Sequence, residues 1–207
     1  MIKTNEYKIF FDAARTGDLE SLKKFLELGT DINLQDKKKR TAILLAAMNK
    51  HYDVVKYLAD AGADINRQDQ TCLNPFLYGC IYGDLKLVRL MINAGADLNL
   101  VTRFGGVGIT PASERGHIEV VRELLTSTDI NVNHTNYCGW TPLIEAIVLN
   151  NGGPRQQAII KLLLENGADT ELADQYGVTP IELARRKGFK EIEEILLEAG
   201  AECAFEK

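Results

Sequence analysis

Residues 61–69 read AGADINRQD, and four other stretches nearly repeat them: LGTDINLQD at 28–36, AGADLNLVT at 94–102, STDINVNHTN at 127–136 and NGADTELAD at 166–174. Self-similarity at a fixed period decides the fold before any single motif does. A second pattern runs between these stretches, as RTAILLAAMNKHYDVVKYL (40–58), GVGITPASERGHIEVVREL (106–124), WTPLIEAIVLN (140–150) and VTPIELARRKGFKEIEEIL (178–196). Its anchor positions Thr41, Asn74, Val107, Thr141 and Thr179 stand 33, 33, 34 and 38 residues apart. The chain is therefore an array of similar units with two insertions.

Each unit reads as a cap followed by two short helices. Thr41, Asn74, Thr141 and Thr179 can accept a backbone N–H as N-caps, and Pro75, Pro142 and Pro180 follow at the first helical position, where the missing N–H has no partner to lose. The second helix shows in apolar residues spaced three and four apart, such as Val54 and Val55 with Leu58, Val120 and Val121 with Leu124, and Ile159 and Ile160 with Leu163. Gly29, Gly62, Gly95, Gly167 and Gly200 end it, since a left-handed residue after a helix favours glycine. The fourth unit departs from the pattern: Val107 and Gly108 stand where Thr-Pro belongs, and Thr110-Pro111 falls three residues late. Its N-cap is expected to be missing, with Pro111 tolerated in the first turn and RFGGVG (103–108) either forming a looser turn or bringing backbone close to a ligand.

These units resemble the ankyrin-repeat family, whose repeat of about 33 residues carries T-P-L-H-x-A and G-A-D-V-N signatures. The resemblance implies an all-α ankyrin-repeat solenoid of about six helix-turn-helix repeats with short β-hairpin-like turns, a single domain over 1–207. The repeats fall at approximately 7–36, 37–69, 70–102, 103–136, 137–174 and 175–201, from a degenerate cap around FFDAARTGDLESLKKFLELGTDIN to a last unit ending at LLEAGAE. The wording RFGG, PASERGH, GWTPLIEA and GGPRQQ is similar to that of small bacterial ankyrin-repeat proteins. Such a resemblance implies protein binding without catalysis.

Composition is compatible with that reading. The 207 residues are 45% hydrophobic and 26% charged, which argues against disorder, and a net charge of −5 provides no general field for nucleic acid. The N-terminal stretch holds no apolar run of signal or membrane-spanning length, so cytoplasmic location is expected and no membrane partner. Cys72, Cys80, Cys138 and Cys203 are far apart, and His51, His117 and His134 lack metal-ligand spacing, so reduced thiols, no metal and no cofactor are expected. The basic run Lys37–Arg40 sits on one turn tip and reads as a solvated loop, with contact to an acidic partner segment as the alternative.

The stretch NNGGPRQQ (150–157) carries an insertion, because Val121 and Ile160 are 39 residues apart where the repeat gives 34. It reads as an enlarged turn between helices. A phosphate loop of the P-loop kind would need a preceding strand and a lysine at the helix start, and neither is present. On the expected concave face, repeats three to five gather Tyr78, Tyr82, Phe104, Tyr137 and Trp140 with Arg103, Arg115, Glu145 and Arg155. Aromatics and arginines dominate binding hot spots, so these nine residues form the candidate contact patch for a protein or peptide bound by a monomer. The alternative is a small-ligand-binding or sensing protein, in which Arg103, Arg115, Glu145 and the inserted loop close over a polar ligand. Packing between repeats and surface ion pairs is the plainer account of the same side chains.

Overall fold

The computed structural model describes residues 4–201, so Cys203 and the residue after Ala201 in the last repeat lie outside the described residues. Among the described residues twelve helices form in order, two to each repeat. The first helices of the six pairs are α1 (Thr4–Thr16), α3 (Ala42–Met48), α5 (Pro75–Tyr82), α7 (Ile109–Glu114), α9 (Pro142–Val148) and α11 (Pro180–Lys187). The second helices are α2 (Leu19–Glu27), α4 (Tyr52–Asp60), α6 (Leu85–Asn93), α8 (Ile118–Ser127), α10 (Pro154–Glu165) and α12 (Lys190–Glu198). Among the described residues there is no sheet, only an isolated bridge between Gln35 and Thr41.

Capping explains where the first helices begin. Leu44 N donates to Thr41 Oγ1 (3.4 Å), Leu77 N to Asn74 Oδ1 (2.8 Å) and Ile144 N to Thr141 Oγ1 (3.2 Å). Thr179 and Glu182 form a reciprocal capping box ahead of Pro180. Each such cap is worth about 1 kcal/mol. α7 has none: Gly108 precedes it in a helical conformation without a side-chain bond, and this is the shortest of the described helices at six residues.

The chain divides into two compact units, Met1–Gly79 with Asp84–Asp97 and Cys80–Gly83 with Leu98–Lys207. In the first unit α3 packs on α1 and α4. Phe10, Leu22, Ile43, Leu44, Val54, Leu58 and Met91 are fully buried there, among them Val54 and Leu58, which the three- and four-residue spacing had put inside. In the second unit α7, α9 and α11 pack side by side, with α10 against α8 and α12. Ile109, Val121, Leu124, Ile144, Ile160, Leu163 and Leu196 fill its core.

An asparagine in three of the GADIN-like stretches links one loop to the next. Asp64 N donates to Asn33 Oδ1 (2.7 Å) and Asp97 N to Asn66 Oδ1 (2.9 Å) in the first unit, and Asp169 N donates to Asn133 Oδ1 (2.9 Å) in the second. A short amide thus satisfies a loop N–H that would otherwise need water.

Candidate interaction surface

The turn tips share one construction. Asp36, Asp69, Asn136 and Asp174 each accept, through Oδ1, the backbone N–H groups two and four residues on, at 2.7–3.1 Å. A backbone pair closes each tip, as in Asn136 N to Trp140 O and Gly139 N to Asn136 O. The tip at Thr102 has no carboxylate but closes the same way, Thr102 N to Gly106 O and Gly105 N to Thr102 O, both 2.9 Å. The expectation of a looser RFGGVG turn is therefore corrected. What differs in this unit is the uncapped start of α7, where Thr110 Oγ1 and Ser113 Oγ are buried without a hydrogen-bond partner among the described residues.

Regular tips place their central residues in solvent. In the second unit Phe104, Tyr137 and Tyr176 are 63%, 74% and 79% exposed. They are consecutive: Tyr137 N donates to Phe104 O (3.1 Å), the Tyr137 ring lies against Gly105, and Gly139 approaches the backbone of Gln175. A Cβ on Gly105 would meet that ring at 2.6 Å, so glycine is what allows the aromatic to lie flat on the preceding tip. The Arg103 guanidinium stacks on Phe104, 4.6 Å from the ring centroid. His134 braces the row by donating from Nε2 to Gly105 O (2.7 Å).

The other residues of the expected patch divide. Tyr82 is 58% exposed, Trp140 is half-buried, and Arg115 and Arg155 are exposed. Tyr78 belongs to the first unit, where its hydroxyl donates to Met48 O (3.4 Å). Glu145 turns inward and is only 7% exposed, accepting from Asn136 Nδ2 at 2.7 Å. Its expected place on an open surface is corrected. Leu45 and Pro111, at the equivalent helix position, are buried as well. Withdrawal from water, and then the charge of Glu114, push the Glu145 carboxyl up to about 7, while the Asn136 bond pulls the other way. Asn136 had gone unnoticed in the sequence. The signal was there, since asparagine replaces the aspartate of the tips at 36, 69 and 174 where the facing helix position carries Glu145 instead of leucine or tyrosine. An aspartate at 136 would set two carboxylates against each other.

The hinges between paired helices reveal what the insertion does. At Gly17 and Gly83 a histidine ring from the next repeat covers the glycine, His51 and His117 respectively, so close that a Cβ would come within 2.5 Å. His51 Nε2 donates to Arg15 O and His117 Nε2 to Ile81 O, both at 3.0 Å. At Gly116 the insertion takes over both tasks. Asn150 Nδ2 donates to Glu114 O (2.9 Å), the carbonyl equivalent to Arg15 O and Ile81 O, and the Arg155 side chain lies on Gly116. The expected enlarged turn is only part of the insertion. The loop 149–153 is two residues longer than 115–117, and the rest extends α10 to 12 residues, beyond the nine of α2, α4, α6 and α12.

Cys72, Cys80 and Cys138 are unbridged, and no cluster of metal-binding side chains occurs among the described residues. No described helix is long and apolar enough to cross a membrane.

Known proteins agree with this geometry. A family profile described as ankyrin repeats (3 copies) matches residues 10–102, 76–174 and 109–206. The chain is 59% identical over 189 residues to the ankyrin repeat protein YahD of Escherichia coli (strain K12), covering 91% of this chain and 94% of that one. An ankyrin repeat domain from Acinetobacter baumannii AYE superposes with a TM-score of 0.88 at 42% identity, over 93% of this chain and 98% of the other. A chain from the complex of the Bdellovibrio bacteriovorus predatory endopeptidase Bd0816 with immunity protein Bd3460 matches at a TM-score of 0.76, covering 91% and 96%. At 21% identity it shows the fold alone.

Proposed function

The chain belongs to the ankyrin-repeat family, whose repeats are generally protein–protein interaction modules, and we propose that it is a non-enzymatic module binding a protein or peptide on its concave face. The contact surface in this reading is the second unit's row of turn tips, with Tyr82, Trp140 and Arg115 beside it. The observation that carries it is the run of three consecutive exposed aromatics, Phe104, Tyr137 and Tyr176, with Arg103 stacked on the first. Rigid rings held out by regular turns bury much area on binding at little entropic cost.

The histidines support the absence of catalysis in this reading, because each is tied to a backbone carbonyl that joins neighbouring repeats. Glu145 has the raised pKa that often marks an active site, but its hydrogen-bond partner is the amide that shapes a turn. A cytoplasmic monomer is part of the same proposal, with light scattering as the check on its mass.

The test is affinity capture from cells with the parent protein and with Arg103→Ala/Phe104→Ala/Tyr137→Ala, followed by titration of the captured partner. The triple variant should fold normally and lose the partner. Undiminished affinity in a variant with parental melting would overturn the assignment of the surface.

A further inference from the structure

The second unit contains a cleft of about 660 Å³ at the insertion, lined by Arg115, Asn150, Gly153, Arg155 and Gln156 among others. Its walls are built from residues already committed to the fold. Gln156 is 8% exposed and donates from Nε2 to Asn150 Oδ1 (2.8 Å), and Asn150 in turn is anchored to Glu114 O. Arg155 rests its Cγ and Cδ on Gly116, where a Cβ would come within 2.6 Å of Cδ. Those methylenes supply the packing that His51 and His117 supply elsewhere, but the arginine continues beyond them. Its guanidinium makes no hydrogen bond or ion pair with the described residues.

Arg115 lines the same cleft, half-exposed, with Nε 4.0 Å from Glu114 Oε2, the outer limit of an ion pair. A contact of that length in solvent is worth at most about 1 kcal/mol and leaves most of the guanidinium's hydrogen-bonding capacity free. No aspartate or glutamate lines the cleft, in a chain where acidic residues outnumber basic ones by 29 to 24. Both arginines line it, and α10 begins at the wall with Gly153 providing no side-chain cap. Planar forks of this kind pair with the oxygens of carboxylates and phosphates.

We propose that the cleft between Arg115 and Arg155 is a binding site for an oxyanion, a phosphate or carboxylate group held by the two guanidinium forks. The site does not depend on the reading of the turn tips. A free anion and an acidic side chain of a bound protein offer the same chemistry, and the probes separate them.

The experiment follows the arginine Nε–Hε signals of the whole protein by nuclear magnetic resonance during titration with inorganic phosphate, succinate or a triglutamate peptide. Sodium chloride at matched ionic strength is the control. Saturable shifts at Arg115 and Arg155 are expected, with affinity reduced about tenfold in Arg155→Gln and in Arg115→Gln, the loss of one charge-assisted bond. Glutamine at 155 keeps the Cγ and Cδ that cover Gly116, so melting should be unchanged. Arg155→Lys retains the charge without the fork and should recover part of the affinity. Tighter binding of phosphate or succinate identifies a free anion, and tighter binding of triglutamate identifies a partner's acidic side chain. Shifts that fail to saturate, that sodium chloride reproduces, or that survive both glutamine substitutions at full strength overturn the proposal.

Discussion

Replacing Glu145 with glutamine probes the tie between the fifth turn tip and its helix. Burial, and then the charge of Glu114, move the carboxyl from its ordinary 4.5 to about 7 in the folded protein. The unfolded chain releases this proton near its ordinary value, so at intermediate pH the folded state holds a proton that the unfolded state has lost. The group's favourable contribution is complete below about pH 4.5, declines as pH rises, and is gone above about 7. At about 1.4 kcal/mol per pH unit, the gap sets a ceiling of roughly 3 kcal/mol. Glutamine stays uncharged and retains an Oε1 to accept from Asn136 Nδ2. Glu145→Gln should therefore be close to the parent at pH 5 and more stable by about 1 to 3 kcal/mol at pH 8, raising Tm by roughly 2 to 12 °C in a chain of this size. Urea and thermal unfolding followed by far-ultraviolet circular dichroism, at several pH values, give the difference between variant and parent, in which other titrating groups cancel. Glu114→Gln in the parent should narrow it by removing the second cause. A difference that is the same at pH 5 and pH 8 would refute the reasoning.

Four further outcomes are expected. Gly83→Ala should cost about 1 to 3 kcal/mol in urea unfolding, because its φ of +69° and the His117 ring 2.5 Å from the new Cβ both oppose a side chain, and His117→Ala should relieve only the second. Asn150→Ala, which loses the bonds to Glu114 O and Gln156, should cost about 1 to 3 kcal/mol by the same measurement. Arg103→Ala/Trp140→Ala should weaken partner binding by roughly 2 to 4 kcal/mol in calorimetry, with Tm followed because Trp140 is half-buried. Lys38→Ala/Lys39→Ala should cost about 1 kcal/mol or less, mostly through salt-dependent association.

Local rules carried the fold. Thr41, Asn74, Thr141 and Thr179 announce helix starts because a cap is a bond within four residues, and the apolar spacing announces the buried faces because it reflects one helix at a time. The candidate surface was legible only where exposure follows from the repeat register, as at Phe104 and Tyr137. Glu145 broke that rule. The expectation put it on an open surface of α9, yet the equivalent positions Leu45 and Pro111 are buried too. What is particular to Glu145 is its bond from the amide of Asn136, nine residues earlier, a bond between two departures from the repeat that cannot be read from the repeat.

The insertion shows the same limit from the other side. Read along the chain, NNGGPRQQ is glycine, proline and polar residues, which spell a turn. Across the repeats its residues replace a histidine: Asn150 takes the hydrogen bond to the hinge carbonyl, and the Arg155 methylenes take the place of the ring on Gly116. A ring on the hinge would finish that task and leave nothing over. An arginine finishes it with its stem and still has a charged fork to place, while the residues that deliver the stem also lengthen α10 and open the cleft beside it. An insertion needed only to bridge two helices would be served by any short polar loop. One that rebuilds the hinge contact from a longer, charged side chain gains a guanidinium beside Arg115, and that surplus is the chemistry the anion titration measures.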